Sequence, residues 1–301
     1  MKDPVQNSVD FKYLMVNDRD WKYPLTVHTV GYQEIRRDTP YPLQEHPSGY
    51  YFNIGEGRIL REYQLLYITE GEGFFSSKHV HAVPVRKGSV IFLFPGEWHT
   101  YHPVEETGWT EYYIGFQGDM VANLIRNEFL SVERPVLFVG EHEMLVELFL
   151  NAIQVAKSDK IASQQYLAGI VMHMLGMILS FSKTSEFEAN DLDQKIERAK
   201  IVMNRHLLNS IDLQQLAAEL NLSYSWFRKI FKDYTGYAPA KYFQELKLRK
   251  AKESLIHTSA NVKEISFMLG FHSVEHFSLT FKKRTGMTPL EYRAYGRGRV
   301  L

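Results

Sequence analysis

The chain has 301 residues, no cysteine, and 35 basic against 35 acidic side chains. That length suits two domains with separate cores, and the missing cysteines exclude disulfides, thiolate metal sites and cysteine nucleophiles, which fits a cytoplasmic setting. The zero net charge hides an asymmetry: residues 194–301 hold 19 basic and 9 acidic side chains, leaving 16 and 26 to the rest, so a +10 module follows a −10 body. A basic module on an acidic body is the electrostatic footprint of a nucleic-acid-binding domain beside a regulatory one. No apolar run follows Met1, Lys2 and Asp3, and no stretch reads as long and apolar enough to span a bilayer, so neither a signal peptide nor a membrane partner is expected.

Residues 1–50 are rich in aromatics and prolines, with one candidate strand at 23–31 and loops at 38–42 and at His46, Pro47, Ser48 and Gly49. From Tyr50 the pattern is β. A strand over 63–69 is followed by a turn at Glu70, Gly71, Glu72 and Gly73. Gly88 precedes an apolar run over 90–94, Pro95 and Gly96 turn the chain, and 109–116 is a further strand. Many short strands punctuated by glycine predict a small β-barrel or jelly roll.

Four stretches carry a resemblance here. They are the strand ending Thr69-Glu70-Gly71-Glu72-Gly73, then Lys87-Gly88-Ser89, and then Pro95-Gly96-Glu97-Trp98-His99 with Trp109 to Phe116 beyond. Together they resemble the cupin-like ligand-binding domain attached to many AraC-type regulators, a double-stranded β-helix whose mouth holds a small ligand. Cupin enzymes hold a metal through two histidines and a glutamate before this turn and a histidine near the Pro-Gly pair. Here only His99 is present, while the first strands carry Arg58, Arg61, Glu62, Tyr63 and Gln64. The broken triad argues against an oxygenase or isomerase, and no metal or other cofactor is expected. His79 and His81 share a strand face by alternation, but they lie past the glycine turn on what reads as a solvated hairpin. The resemblance to the sugar-binding branch implies pocket positions at His99, Tyr101, Glu111 and Tyr113, with Glu56 and Arg58 on the other wall. Glu111 stands where that relative has histidine, and Tyr113 where tryptophan is usual. The implied partner is a small effector, a sugar or oligosaccharide.

Near Glu141 the period becomes helical. Met144, Leu145, Leu148, Phe149 and Ala152 mark one helix over 141–157. Tyr166, Leu167, Ile170, Val171, Met174, Leu175 and Ile178 mark a second over 161–182. The second stripe is wide enough to pack on the barrel and on another subunit, so a homodimer is expected through these helices. Residues 1–182 thus read as an effector-binding and dimerisation domain, with the barrel ending near 138. The acidic, unpatterned stretch 183–193 reads as a linker.

Residues 194–299 contain one unit twice. Ser223, Phe227, Phe231, Gly236, Pro239 and Tyr242 recur fifty positions on as Ser273, Phe277, Phe281, Gly286, Pro289 and Tyr292. Upstream of the serines the offset is forty-nine, so the second copy has one extra residue in its turn, near His272. Each copy reads as an apolar helix, a turn at Asn221 or Gly270, and a helix capped by Ser223 or Ser273. Gly236 and Gly286 then end the second helices, with the prolines as stop signals. This is the helix-turn-helix layout, whose second helix enters the major groove.

The repeat, with Thr235-Gly236, Gly270-Phe271, Phe281-Lys282-Lys283, Thr285-Gly286 and Thr288-Pro289, resembles AraC/XylS-type transcription regulators. The resemblance implies two helix-turn-helix units joined by a long helix over 239–256. Tyr224, Ser225, Arg228 and Lys229 face outward in the first unit, and Val274, Glu275, Ser278 and Leu279 in the second. Arg228 or Lys229 suits guanine O6 and N7. Leu279 stands where relatives carry arginine, so the second unit is expected to lean on backbone contacts from Lys282, Lys283 and Arg284. The combined expectation is an α+β chain, a cupin-like barrel with two helices followed by an all-α domain. Such a chain would bind double-stranded DNA, respond to a ligand, and activate carbohydrate-utilisation genes in concert with RNA polymerase. The competing readings are a cupin-type enzyme with a DNA-binding tail and a ligand-independent DNA-binding protein.

Overall fold

The computed structural model describes residues 9–42, 53–158, 160–188, 191–209 and 211–298. The turn expected at His46, Pro47, Ser48 and Gly49 lies outside them. The chain separates into two compact units, Met1–Ser185 and Glu186–Leu301.

The first unit is built on nine strands: β1 (Val9–Tyr13), β2 (Thr26–Ile35), β3 (Arg58–Ile59), β4 (Tyr63–Ser77), β5 (Val83–Arg86), β6 (Ser89–Leu93), β7 (Trp98–Pro103), β8 (Trp109–Gln117) and β9 (Val136–Phe138). They pair in the order β1-β2-β8-β4-β6-β9, with β5 and β7 on the far half of β4 and β3 on β7. Strand β4 corrects the expected turn at Glu70–Gly73. It runs unbroken for 15 residues, pairing first with β6 and β8 and then with β5 and β7. Its glycines serve a sheet-to-sheet crossing instead of a reversal. A Cβ on Gly71, at φ +78, would stand 2.0 Å from the Gly108 carbonyl, and one on Gly73 2.2 Å from the His102 carbonyl. Strand β1 alternates apolar and polar residues over its whole length and the helix α1 (Asp119–Arg126) carries an apolar face of Met120, Val121, Leu124 and Ile125, while β9, three residues long, owes its order to pairing with β6.

Both faces of the β8 region are buried, and they serve different cores. Ile114 and Phe116, with the half-buried Tyr112, join Leu65, Tyr67, Val90 and Phe92 against the helices α2 (Glu143–Ser158) and α3 (Ser163–Glu188). Trp109 and Tyr113 face the barrel interior with Ile35, Leu66, Ile68, Phe75, Ile91 and Tyr101. The α3 start is pinned to the barrel by Gln164, whose amide accepts from Val27 N and donates to Val27 O, both at 2.9 Å. This clamp sits at the bulge of the β2 ladder between Val27 and Thr29.

Two expectations about α3 change. Leu175 and Ile178 are 1% and 0% exposed and belong to the core of their own unit, so they are not available to a second subunit. The helix also runs through most of the expected linker, to Glu188. Thr184 Oγ1 donates to Ser180 O at 3.0 Å, and a nucleated helix extends at the cost of one residue per added bond without an apolar stripe. Residues 189–190 lie outside the described set. By length and composition α3 is apolar enough over Ser163–Thr184 to cross a membrane, which the sequence reading had not anticipated. Its Leu167, Val171, Met174, Leu175 and Ile178 are spent on the core.

The second unit comprises α4 (Leu192–Arg205), α5 (Leu213–Glu219), α6 (Tyr224–Thr235), α7 (Pro239–His257), α8 (Val262–Met268), α9 (Val274–Thr285) and α10 (Pro289–Gly296). The repeat is geometric as well as sequential. Ser223 accepts from Trp226 N at 3.3 Å and Ser273 from His276 N at 3.1 Å. Thr235 and Thr285 each donate to the carbonyl four residues back, at 2.7 and 2.8 Å. Phe231 meets Tyr242 edge-on at 5.2 Å and Phe281 meets Tyr292 at 5.3 Å. Asn221 at φ 55 and Gly270 at φ 73 supply the left-handed turn, with one more residue between Gly270 and its cap than between Asn221 and its own. Pro239 and Pro289 do more than stop a helix. Each opens the next one, where a missing N–H costs nothing.

Candidate effector pocket and nucleic-acid interface

Five of the six implied pocket residues meet inside the barrel. Arg58, at the start of β3, pairs opposite His99 of β7. Its Nη2 donates to Tyr101 Oη at 2.7 Å and its Nε to His99 Nε2 at 3.3 Å. The His99 ring, 2% exposed, therefore carries its proton on Nδ1, which donates to Glu97 O at 3.1 Å. Burial, helped by the Arg58 charge, pushes its pKa down to about 3 and keeps it neutral. Tyr101 is buried as well, and desolvation pushes its hydroxyl up to about 12.

Glu111 and Tyr113 come from the interior face of β8 by the two-residue period. Glu111 is 1% exposed, and its Oε1 accepts from Gln33 Nε2 on the paired strand β2. Desolvation raises its carboxyl to about 7, against the lowering effects of Gln33 and Arg58. Tyr113 pairs with Gly31, where a Cβ would come within 2.6 Å of the Tyr113 ring. A glycine there is what lets the tyrosine lie across the interior.

Glu56 is not with them. It is exposed in the turn between Asn53 and Gly57, where its N–H donates to Asn53 O at 3.2 Å and its carbonyl accepts from Trp98 Nε1 at 2.7 Å. The tight turn closes at Gly57, φ +66, so the first side chain that reaches the interior is Arg58. The structure adds Gln33, Tyr41 and Trp109, which the sequence reading missed. Tyr41 lies against Tyr101 and Trp109, with ring centroids at 6.3 and 6.1 Å. The indole Nε1 of Trp109 and Oε2 of Glu111 are buried with no hydrogen-bond partner among the described residues. Alternation along β8 could have found Trp109; Gln33 depends on the β2–β8 register.

His79 meets Glu97 at 3.2 Å, and no group of three or more potential metal-ligating side chains occurs among the described residues.

In the second unit, Ser225, Arg228 and Lys229 are exposed on α6, opposite the buried Phe227, Ile230 and Phe231. Tyr224 is half-buried, with Arg228 over its ring at 6.0 Å. Trp226, 43% exposed, joins this face with Lys229 at 5.5 Å. On α9, Glu275, Leu279 and Lys282 are exposed and Val274 and Ser278 half-buried on the same side. Arg284 leaves that group, because its Nη1 sits 3.2 Å from Glu245 of α7. Lys283 also lines a cavity toward α7.

These two arrangements match two known domains. Residues 46–175 match the AraC-like ligand binding domain, and residues 216–295 a helix-turn-helix domain. The chain belongs to the AraC/XylS-type transcription regulators. The lactose operon transcription activator of Staphylococcus xylosus is 25% identical to this AraC-type regulator over 80% of the chain and 87% of its own length. The raffinose operon transcriptional regulatory protein of Pediococcus pentosaceus is 22% identical over 79% and 87%. A solved AraC-type DNA-binding-domain-containing regulator from Chromobacterium violaceum is 31% identical over 35% of this chain and 93% of its own, with a TM-score of 0.33. The AraC-type regulator is therefore a DNA-binding transcription regulator with a ligand-binding domain.

Proposed function

We propose that this regulator activates carbohydrate-utilisation genes when a sugar or oligosaccharide enters the barrel. The observation that carries the reading is the pair on β8, Trp109 Nε1 and Glu111 Oε2. One is a buried donor and the other a buried acceptor, neither has a partner among the described residues, and they lie two residues apart on one strand face. Each unmade bond costs about 1–3 kcal/mol, and hydroxyls, which accept and donate, answer both. The flanking rings of Tyr101, Tyr41 and Tyr113 offer planar apolar surface for sugar faces. Relatives named for lactose and raffinose operons support the same class.

DNA contact is assigned to Tyr224, Ser225, Trp226, Arg228 and Lys229 of the first unit. In the second it falls to Val274, Glu275, Ser278, Leu279 and Lys282, with Lys283 and Arg284 turned from the bases. The protein acts as a cytoplasmic homodimer that works with RNA polymerase and carries out no catalysis. The dimer contact is placed on the outer side of α3, where Tyr166, Gly169, His173 and Gly176 are exposed.

The test is a thermal-shift screen of mono- and oligosaccharides on the full chain. A ligand at a hundredfold excess over its Kd stabilises by about 2.7 kcal/mol, and that gain should vanish in Glu111→Gln and Trp109→Phe. Stabilisation that survives both substitutions would place the effector elsewhere.

A further inference from the structure

The DNA-binding unit has a cavity that neither the base-reading faces nor the barrel explains. About 600 Å³ lies between α7 and α9, lined by Lys247, Leu248, Phe271, Phe277, Thr280 and Lys283 among others. That volume is in the range of small-molecule sites. On α9, His276, Thr280 and Arg284 repeat every fourth residue, as do Val274, Ser278 and Lys282. The two rows are offset by two residues, roughly 200° of helical turn, so the cavity opens on the side of α9 away from its outward face.

The charge of this cleft is unbalanced. Lys247 is half-buried, its ammonium 4.9 Å from the Phe243 ring centroid, and desolvation lowers its pKa. Among the described residues no carboxylate pairs with it. The carboxylate that lines the cleft, Glu245, is held by Arg284. A Cβ on Gly270 would lie 3.2 Å from Lys247 Nζ, so the ammonium rests close against the glycine turn of the second unit, which supplies no charge to pair with it. A half-desolvated cation beside aromatic and aliphatic surface is matched by one negative charge on an apolar body.

We propose that this cleft binds a small amphiphilic anion, a carboxylate or sulfonate on an aromatic or short aliphatic body. Its charge sits on Lys247 and Lys283 and its apolar part on Leu248 and Phe271. Because α7 joins the two helix-turn-helix units, such a ligand touches both the connecting helix and the second recognition helix. Any effect it has on DNA affinity is returned equally as an effect of DNA on its own affinity.

The full-length protein, without DNA, is titrated with 1-anilinonaphthalene-8-sulfonate by fluorescence, with benzoate and octanoate as competitors. One saturable site is expected. Lys247→Met should weaken it roughly tenfold, the size of one charge-assisted contact. Thr280→Trp, which fills the cleft, should abolish it, while Glu111→Gln in the barrel leaves it unchanged. A site that both cleft substitutions leave intact overturns the proposal, as does one that Glu111→Gln removes. Strictly competitive displacement of the probe by random-sequence duplex, with no ternary complex at saturating probe, would assign the cleft to DNA phosphate and overturn it too. If Thr280→Trp melts early, Lys247→Met alone decides.

Discussion

Gln33 and Glu111 stand opposite each other on β2 and β8, and the amide of one holds a single oxygen of the other. The second oxygen is buried with no partner among the described residues. A carboxyl in that state resists ionisation, which gives the barrel a measurable pH response.

The folded pKa of Glu111 is raised from 4.5 to about 7, so between those values the folded state binds more protons than the unfolded one. Stability from this group falls as pH rises from about 4.5 and levels off above about 7, by about 3 kcal/mol at most. His99 acts in the opposite sense. Its pKa is lowered from 6.5 to about 3, so its contribution is lost as pH falls below about 6.5. Urea unfolding at pH 4.5 and 7.5 should show Glu111→Gln gaining on the wild type as pH rises. A constant difference would mean that the carboxyl ionises freely in the folded barrel.

On the DNA side, Arg228→Ala should cost about 1–3 kcal/mol on a specific duplex and relax base preference at one position. Lys282→Ala should weaken all duplexes alike and lower the salt slope by about one. Arg284→Ala should cost little binding, because its guanidinium is spent on Glu245. Electrophoretic mobility titrations at several salt concentrations separate the three, and equal losses on specific and random DNA for Arg228→Ala would remove α6 from base reading.

Helix α3 divides into a buried and an open side. Leu175→Glu or Ile178→Lys should unfold the first unit, because each buries an unpaired charge. Gly169 and Gly176 have nothing within 4 Å of an added Cβ, so Gly169→Ala and Gly176→Ala should each stabilise the fold by about 0.5–1 kcal/mol. Gly176→Lys should keep the fold and give monomers in sedimentation velocity. A dimer that persists would move the contact off this face.

The serine caps give a local check on the repeat. Ser223→Ala and Ser273→Ala each remove the acceptor for an N–H at the start of a recognition helix. Each should lower stability by about 1 kcal/mol, readable as a shift in the chemical denaturation midpoint. Matching losses are expected because the two caps occupy equivalent places.

The sequence by itself determined what depends on neighbours along the chain. Caps at Ser223 and Ser273, left-handed turns at Asn221 and Gly270, and apolar stripes at helical spacing are local requirements, and all stand where the spacing put them. In the barrel the family resemblance implied His99, Tyr101, Glu111 and Tyr113 for the pocket, and alternation by itself put only Glu111 and Tyr113 on one face of their strand. It could not say which side was which core, since Tyr112, Ile114 and Phe116 are also sheltered on the other face of β8. Only the register of β2 on β8 brought Gln33 to Glu111. Only the tightness of the turn at Gly57 put Arg58 inside and Glu56 out. The burial of Leu175 and Ile178, the capture of Arg284 by Glu245 and the cleft beside Lys247 were likewise decided by how helices pack. Those contacts join residues far apart in sequence, and periodicity carries no information about what lies across from a face.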